Sequence, residues 1–303
     1  MSAVGLDNAK GRSVPTSKNV TRRARRSRRT RRGPGKYIAI LALVVLALFP
    51  VWWIFTSAFT PANRLLTSPP NYYPRTFTLE NFRLLSQQFP VGQALVNSLL
   101  LAIGSSVVAV AISYLAAYAF ARYTFPGSNV IFVLLLLSSA LPQIATVIPL
   151  FQQFGNLNLI DTVQGLILLM TSMLTPFTVW ILTSFIRRVP VDIEDAARVD
   201  GAGFFRIILR VTGPLTMPAV ATMLVINFVL SWNEVFFPLI FSQTPKSQPL
   251  ALGLLNLSAS VANAGRPWNL ISALTLVMVG PVIIVVLAFE PFITRGFAAG
   301  ADK

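Results

Sequence analysis

A chain of 303 residues that is 54% hydrophobic and only 12% charged, with a mean hydropathy of +0.66, lies far from the roughly 25% charged composition of soluble domains and reads as a polytopic membrane protein. It has no Cys and no His, which excludes disulfides, thiolate nucleophiles, imidazole acid–base chemistry and His/Cys metal sites. Its 25 basic and 10 acidic residues, a net charge of +15, are unevenly placed along the chain.

The basic excess starts at the N-terminus, where nine Lys and Arg fall within residues 22–36. Residues 1–35 cannot bury a core and are expected to be disordered. A topology anchor drawn to anionic headgroups is the first reading; a nucleic-acid arm is the alternative. The apolar run from Tyr37 to Phe59 is too long for the h-region of a cleaved signal peptide.

Residues 36–303 form the membrane domain. A helix needs about 20 apolar residues to cross a bilayer, and six segments qualify, at 37–59, 93–120, 129–152, 163–186, 211–241 and 269–294. Interior prolines, including Pro142, Pro149, Pro176, Pro218, Pro238 and Pro281, predict bent helices around a polar path, because freed backbone groups need neighbours or a cavity. Between the first two spans, Thr78 is placed to cap a short helix whose Leu79, Phe82 and Leu85 could lie on the membrane face; a plain loop is the first reading of this segment taken alone. With an inner N-terminus, the inner segments hold twenty Lys and Arg and the outer loops five; without the tail the ratio is eight to five. Both counts put the two termini in the cytoplasm. The outer loops, near 60–92, 153–162 and 242–268, are then the places where an external partner could touch.

Residues 190–210 form a polar island between two apolar spans. Pro190 ends the preceding helix, Asp192 is a candidate N-cap, and Asp195 three residues on imitates a capping box. Glu194 and Asp195 favour the positive end of a helix from about Ile193 to Val199. Ala196 and Ala197 leave a face of little bulk, Gly201 permits a positive φ, and a second, apolar helix starts at Phe204. Two helices meeting at a glycine turn make a rigid knob; an ordinary amphipathic loop is the plainer reading.

The island resembles the EAA loop by which permease subunits of ATP-binding-cassette importers meet their ATPases. Asp195-Ala196-Ala197 is followed after Arg198 and Val199 by Asp200-Gly201-Ala202, with Gly213-Pro214 where that family usually has Leu-Pro. From about Tyr37 onward, PVWWIFTSAFTPANRL, TFTLENFRLL, NSLLLA at Asn97, AYAFARYTFPG and WNEVFFPLI are similar, in that order, to the second permease subunit of the maltose-type carbohydrate importers. Asp195 stands for the usual Glu, and FEPF at 289–292 stands where sugar permeases often have FQRY. The resemblance implies an all-α membrane protein, a six-helix bundle of the type I importer permease kind with cytoplasmic coupling helices. It implies contacts to the ATPase through Glu194, Asp195, Ala196, Ala197, Asp200, Gly201 and Ala202. It further implies a prokaryotic cell membrane, an ATPase dimer, a homologous partner permease, an external binding protein and a sugar substrate, with lipids around the spans and no nucleic acid.

Within the spans, Glu234 and Glu290 are the acids. Charge at the bilayer centre is costly, so Glu234 is expected to line the pathway or pair at a subunit interface, or else to be a hydrogen-bonded structural acid. Trp232 and Asn233, beside it, suit sugar recognition by ring stacking and amide hydrogen bonds, though Trp is also common at membrane interfaces. Asn97 joins them as a pathway candidate. No constellation for hydrolysis is present, and no GxxxxGK[ST] occurs. The chain is therefore read as a non-catalytic subunit that binds no cofactor, with ATP and Mg²⁺ held by a partner. An ion-coupled secondary transporter, or a permease for a polyol or sugar phosphate, is the alternative.

Overall fold

Long apolar helices dominate the described residues, and the breaks between them fall at prolines, glycines or polar clusters. The computed structural model describes residues 34–65, 73, 76–259 and 266–301, with side chains through 292. The chain divides into two units, residues 1–48 and 49–303. Most of the basic tail, residues 1–33, lies outside the described residues. In the first unit, residues 35–48 belong to α1 (Pro34–Ala58), and of these 37–48 are exposed and apolar, a surface suited to lipid.

The second unit continues from Phe49. After the end of α1 come α2 (Ala62–Leu65), α3 (Glu80–Gln88), α4 (Val91–Arg122), α5 (Ser128–Ser138), α6 (Gln143–Asn156) and α7 (Val163–Ile186). Then follow α8 (Val191–Val199), α9 (Phe204–Ile207), a π-helical turn (Ile208–Thr212), α10 (Gly213–Trp232), α11 (Phe236–Phe241), α12 (Leu250–Ala259) and α13 (Trp268–Ala301). Five helical stretches among the described residues are long and apolar enough to cross a membrane: Gly35–Ala58, Val91–Arg122, Val163–Ile186, Phe204–Trp232 and Trp268–Phe292.

The expected third span, 129–152, is not one rod. It is broken into α5 and α6, bent by 96°, with the break directly before Pro142, which cannot donate to the helical ladder. The expected fifth span, 211–241, begins earlier, at Phe204, and its main helix stops at Trp232. By contrast Pro176, Pro218 and Pro281 sit inside unbroken α7, α10 and α13. Hydroxyls bond carbonyls in the same helices: Thr178 donates to Leu174 O at 2.7 Å and Thr222 to Pro218 O at 2.8 Å.

The centre is the trio α4, α7 and α10. Along α4, Ser98, Ala102, Ser105, Ala109, Ser113 and Ala117 are buried and recur every three or four residues, a small-residue stripe that lets neighbouring helices approach closely. Hydrogen bonds then knit the trio: Ser105 to Ser231 at 2.7 Å, Asn227 Nδ2 to Thr178 Oγ1 at 3.1 Å, and Tyr114 to Thr216 at 2.8 Å. In lipid such bonds are worth about 0.6–2 kcal/mol each.

The segment before α4 corrects a sequence expectation. Thr78 Oγ1 accepts the Glu80 N–H at 3.0 Å, but the N-cap position of α3 is Leu79, one residue on, so Thr78 does not cap the helix as expected. Leu79 is exposed, but Leu85 is buried in a cluster with Phe89, Phe228 and Trp232, so the apolar side of α3 faces the core and not the lipid. Asn81 causes this: its Nδ2 donates to Ala58 O and Thr60 O, both at 2.8 Å, while its Oδ1 accepts from Asn269 at 2.9 Å. A buried amide with three partners fixes the rotation of α3.

Candidate functional site

The polar island folds as the two-helix knob its residues imply. Pro190 closes the gap after α7, and α8 starts at Val191, so Asp192 lies within the first turn and does not cap it. Gly201 adopts φ +79°, a conformation that a side chain would strain. Here Ala202 N–H reaches back to Ala197 O at 2.9 Å. The chain re-enters helix at Phe204 and runs without a break through the π turn into α10.

Exposure separates the predicted docking residues into two groups. Asp195, Ala196, Asp200 and Gly201 are exposed, and Ala197 and Ala202 half-buried. Val199 is 88% exposed. Glu194 is instead fully buried and cannot offer its side chain to a partner. Its Oε2 accepts from Tyr118 at 2.8 Å, and its Oε1 from Arg122 Nε at 2.9 Å and Thr212 at 2.8 Å. The Arg122 side chain is 6% exposed and also donates to Val189 O at 2.8 Å. One carboxylate thereby joins α8 to the end of α4 and to the π turn leading into α10. Burial by itself would raise the Glu194 pKa, but hydrogen bonds from Arg122, Tyr118 and Thr212 outweigh it and hold the carboxyl below its ordinary value.

The pathway candidates lie elsewhere, each held by hydrogen bonds of its own. Trp232 is 2% exposed, stacks on Phe228 and donates its indole N–H to Met278 O at 3.2 Å; its ring is core, with no face left for a sugar. Asn233 is exposed and donates to Val229 O at 2.8 Å, ending α10. Glu234 is half-buried, and its Oε1 accepts the Phe237 N–H in the first turn of α11 at 3.2 Å. Asn97 is buried, with Nδ2 donating to Lys246 O and Gln248 O, each at 3.0 Å. Its amide pins the loop after α11.

A carboxylate that sequence reasoning passed over completes that end. Asp161, at φ +57°, accepts from Gln243 N–H and Thr244 N–H, both at 3.0 Å, and from the hydroxyls of Thr244 and Ser247, both at 2.6 Å. Burial would raise its pKa, but the Ser247 and Thr244 hydroxyls and the two N–H groups prevail and lower it. The signal was present: a lone acid beside Asn158 in a loop, both residues tolerant of positive φ.

Spanning helices around a hydrogen-bonded trio, with a two-helix knob fixed at one end, are the architecture of a multi-pass membrane protein. The chain belongs to the family of binding-protein-dependent transport system inner membrane components, whose model matches residues 109–298. It is 33% identical to the sulfoquinovosyl glycerol transport system permease protein SmoH of Agrobacterium fabrum, over 89% of this chain and 94% of that one. It is 32% identical to the trehalose transport system permease protein SugB of Mycobacterium tuberculosis, over 88% and 97%. With the trehalose/maltose transport system permease protein MalG of Thermococcus litoralis the identity is 31%, over 88% and 95%. The fold matches a chain of a bacterial ABC transporter involved in the import of the acidic polysaccharide alginate, with a TM-score of 0.74 at 19% identity, covering 87% of this chain and 97% of that one.

Proposed function

We propose that this permease carries a sugar, as half of a pathway completed by a homologous partner permease, and that residues 191–202 seat in an ATP-binding-cassette ATPase. The observation that carries the coupling reading is the division within α8. Glu194 faces inward onto Arg122, while Asp195, Val199 and Asp200 face outward. A knob anchored on one side and bare on the other transmits force, because its base cannot slip against α4. The sugar rests on the relatives, whose names specify trehalose, maltose and sulfoquinovosyl glycerol. ATP and Mg²⁺ belong to the ATPase dimer, and an external binding protein delivers solute to the loops near Asp161 and Asn97. The excess of Lys and Arg on the knob side supports a cytoplasmic location for the knob and both termini.

The test uses the complete complex in liposomes. Gly201→Asp and Ala197→Arg should abolish stimulation of ATP hydrolysis by solute-loaded binding protein, and uptake with it, while the permease still assembles with its partner permease. Stimulation at the wild-type level in both variants would sink the docking assignment. A panel of trehalose, maltose, a polyol and a sugar phosphate in the same assay identifies the substrate class.

A further inference from the structure

The π turn at Ile208–Thr212 is the irregular element through which the knob enters the membrane. Its defining bond is the Gly213 N–H to Ile208 O, five residues apart. Two residues explain it. Pro214 lacks an N–H, and in a continuous α-helix its ring would press on the carbonyl four residues before it; shifting the ladder by one residue relieves that contact. Gly213 makes the shift possible: a Cβ at this position would lie 2.8 Å from Ile208 O, and the neighbour is backbone, which cannot swing aside as a side chain can. Its φ of −56° is ordinary, so glycine is required here for close approach and not for a special conformation.

The inserted residue also sets direction. A π turn rotates the helix before it relative to the helix after it, and here it leaves Thr212 fully buried with its hydroxyl on Glu194 Oε1 at 2.8 Å. Thr216, one turn on, donates to Thr212 O at 2.9 Å and bonds Tyr114 of α4 at 2.8 Å. The π turn is thus held by α8 on one side and by α4 on the other.

We infer that Gly213 is a positioning residue for coupling: by admitting the π turn it brings Thr212 onto Glu194, so that α8, the end of α4 and the start of α10 move as one body. This inference rests on the proposed coupling role for its functional consequence, but its geometry can be tested without it.

The chain has no cysteine, so spin labels can be placed at Ile193→Cys on α8 and Leu115→Cys on α4 in the assembled complex. One narrow distance distribution is expected, the same without nucleotide and after trapping with ATP and vanadate. Gly213→Ala should broaden it at least twofold in width. Thr212→Val, which keeps shape and removes only the hydroxyl, should broaden it similarly, and the double variant no further, since both act through one contact. Both should keep basal ATP hydrolysis while lowering stimulation by loaded binding protein at least threefold; a general loss of folding would lower both rates together. If Gly213→Ala does not assemble, Thr212→Val carries the test alone. A wild-type distribution in either variant, or additive broadening in the pair, would overturn the inference. Intact stimulation in Gly201→Asp would instead count against the docking reading, whatever the distances show.

Discussion

Two carboxylates hold the two ends of the helical trio, and they do so by different chemistry. Glu194, at the knob, is fully buried and paired with the guanidinium of Arg122, with two hydroxyl donors and the guanidinium of Arg198 3.9 Å away. Asp161, at the opposite end, takes only neutral donors, two N–H groups and two hydroxyls, at a partly open edge. The first ties α8, α4 and the π turn across 18 to 76 residues of chain; the second ties the α6–α7 loop to the segment after α11. The difference lies in what each end leaves behind when its acid is removed. At the knob a buried cation would be stranded, whereas at the other end the freed donors can turn to water.

Removal therefore separates the two ends most strongly. Glu194→Ala should cost about 3–5 kcal/mol, the range for stripping one partner from a buried ion pair, and show as a large fall in the thermal transition of the purified permease. Asp161→Asn keeps an acceptor and leaves neutral donors near solvent, so about 1–3 kcal/mol is expected, with the knob unaffected in the spin-label distances. Equal costs at the two sites would erase the distinction drawn between them.

Acid gives a smaller effect. Both carboxyls are held below their ordinary values, about 3.9 for Asp and 4.3 for Glu when unperturbed. A lowered folded-state pKa contributes stability that is fully present above the unfolded value and is lost as pH falls through the folded one. Thermal stability should then be insensitive to these two groups between pH 8 and pH 5, and should fall only below about pH 4. In Glu194→Gln the Glu194 share of that acid-dependent loss should vanish. A transition near pH 6 that disappears in this variant would contradict the assignment.

Much of this arrangement is legible in the sequence, because the membrane imposes length. The span expected at 163–186 is α7, Val163–Ile186; the turn at Gly201 and the helix restart at Phe204 follow from the absence of a Cβ and from the apolar run. What sequence reasoning missed was direction. Glu194 and Asp195 are neighbours with the same charge, and about 100° of helical rotation sends one into the protein and the other out. The usable clue was Arg122, a single cation closing an apolar helix and in need of a buried partner. Trp232 and Asn97 looked like recognition groups by residue type, but their partners, Met278 O and the carbonyls after α11, lie 46 and about 150 residues away and could not be read locally. The bend before Pro142 was signalled by the proline, yet hydropathy alone does not separate a kinked span from a broken one.

Cysteine labelling tests most directly the proposal that α8 presents one face to an ATPase and buries the other. Single substitutions Asp195→Cys, Val199→Cys and Asp200→Cys, in membranes stripped of ATPase, should react readily with a membrane-impermeant maleimide. Rebinding the ATPase should slow each reaction at least tenfold, while a cysteine at Tyr123, exposed just past the end of α4, should keep its rate. Labelling at all three knob positions that is unchanged by the ATPase would contradict the account.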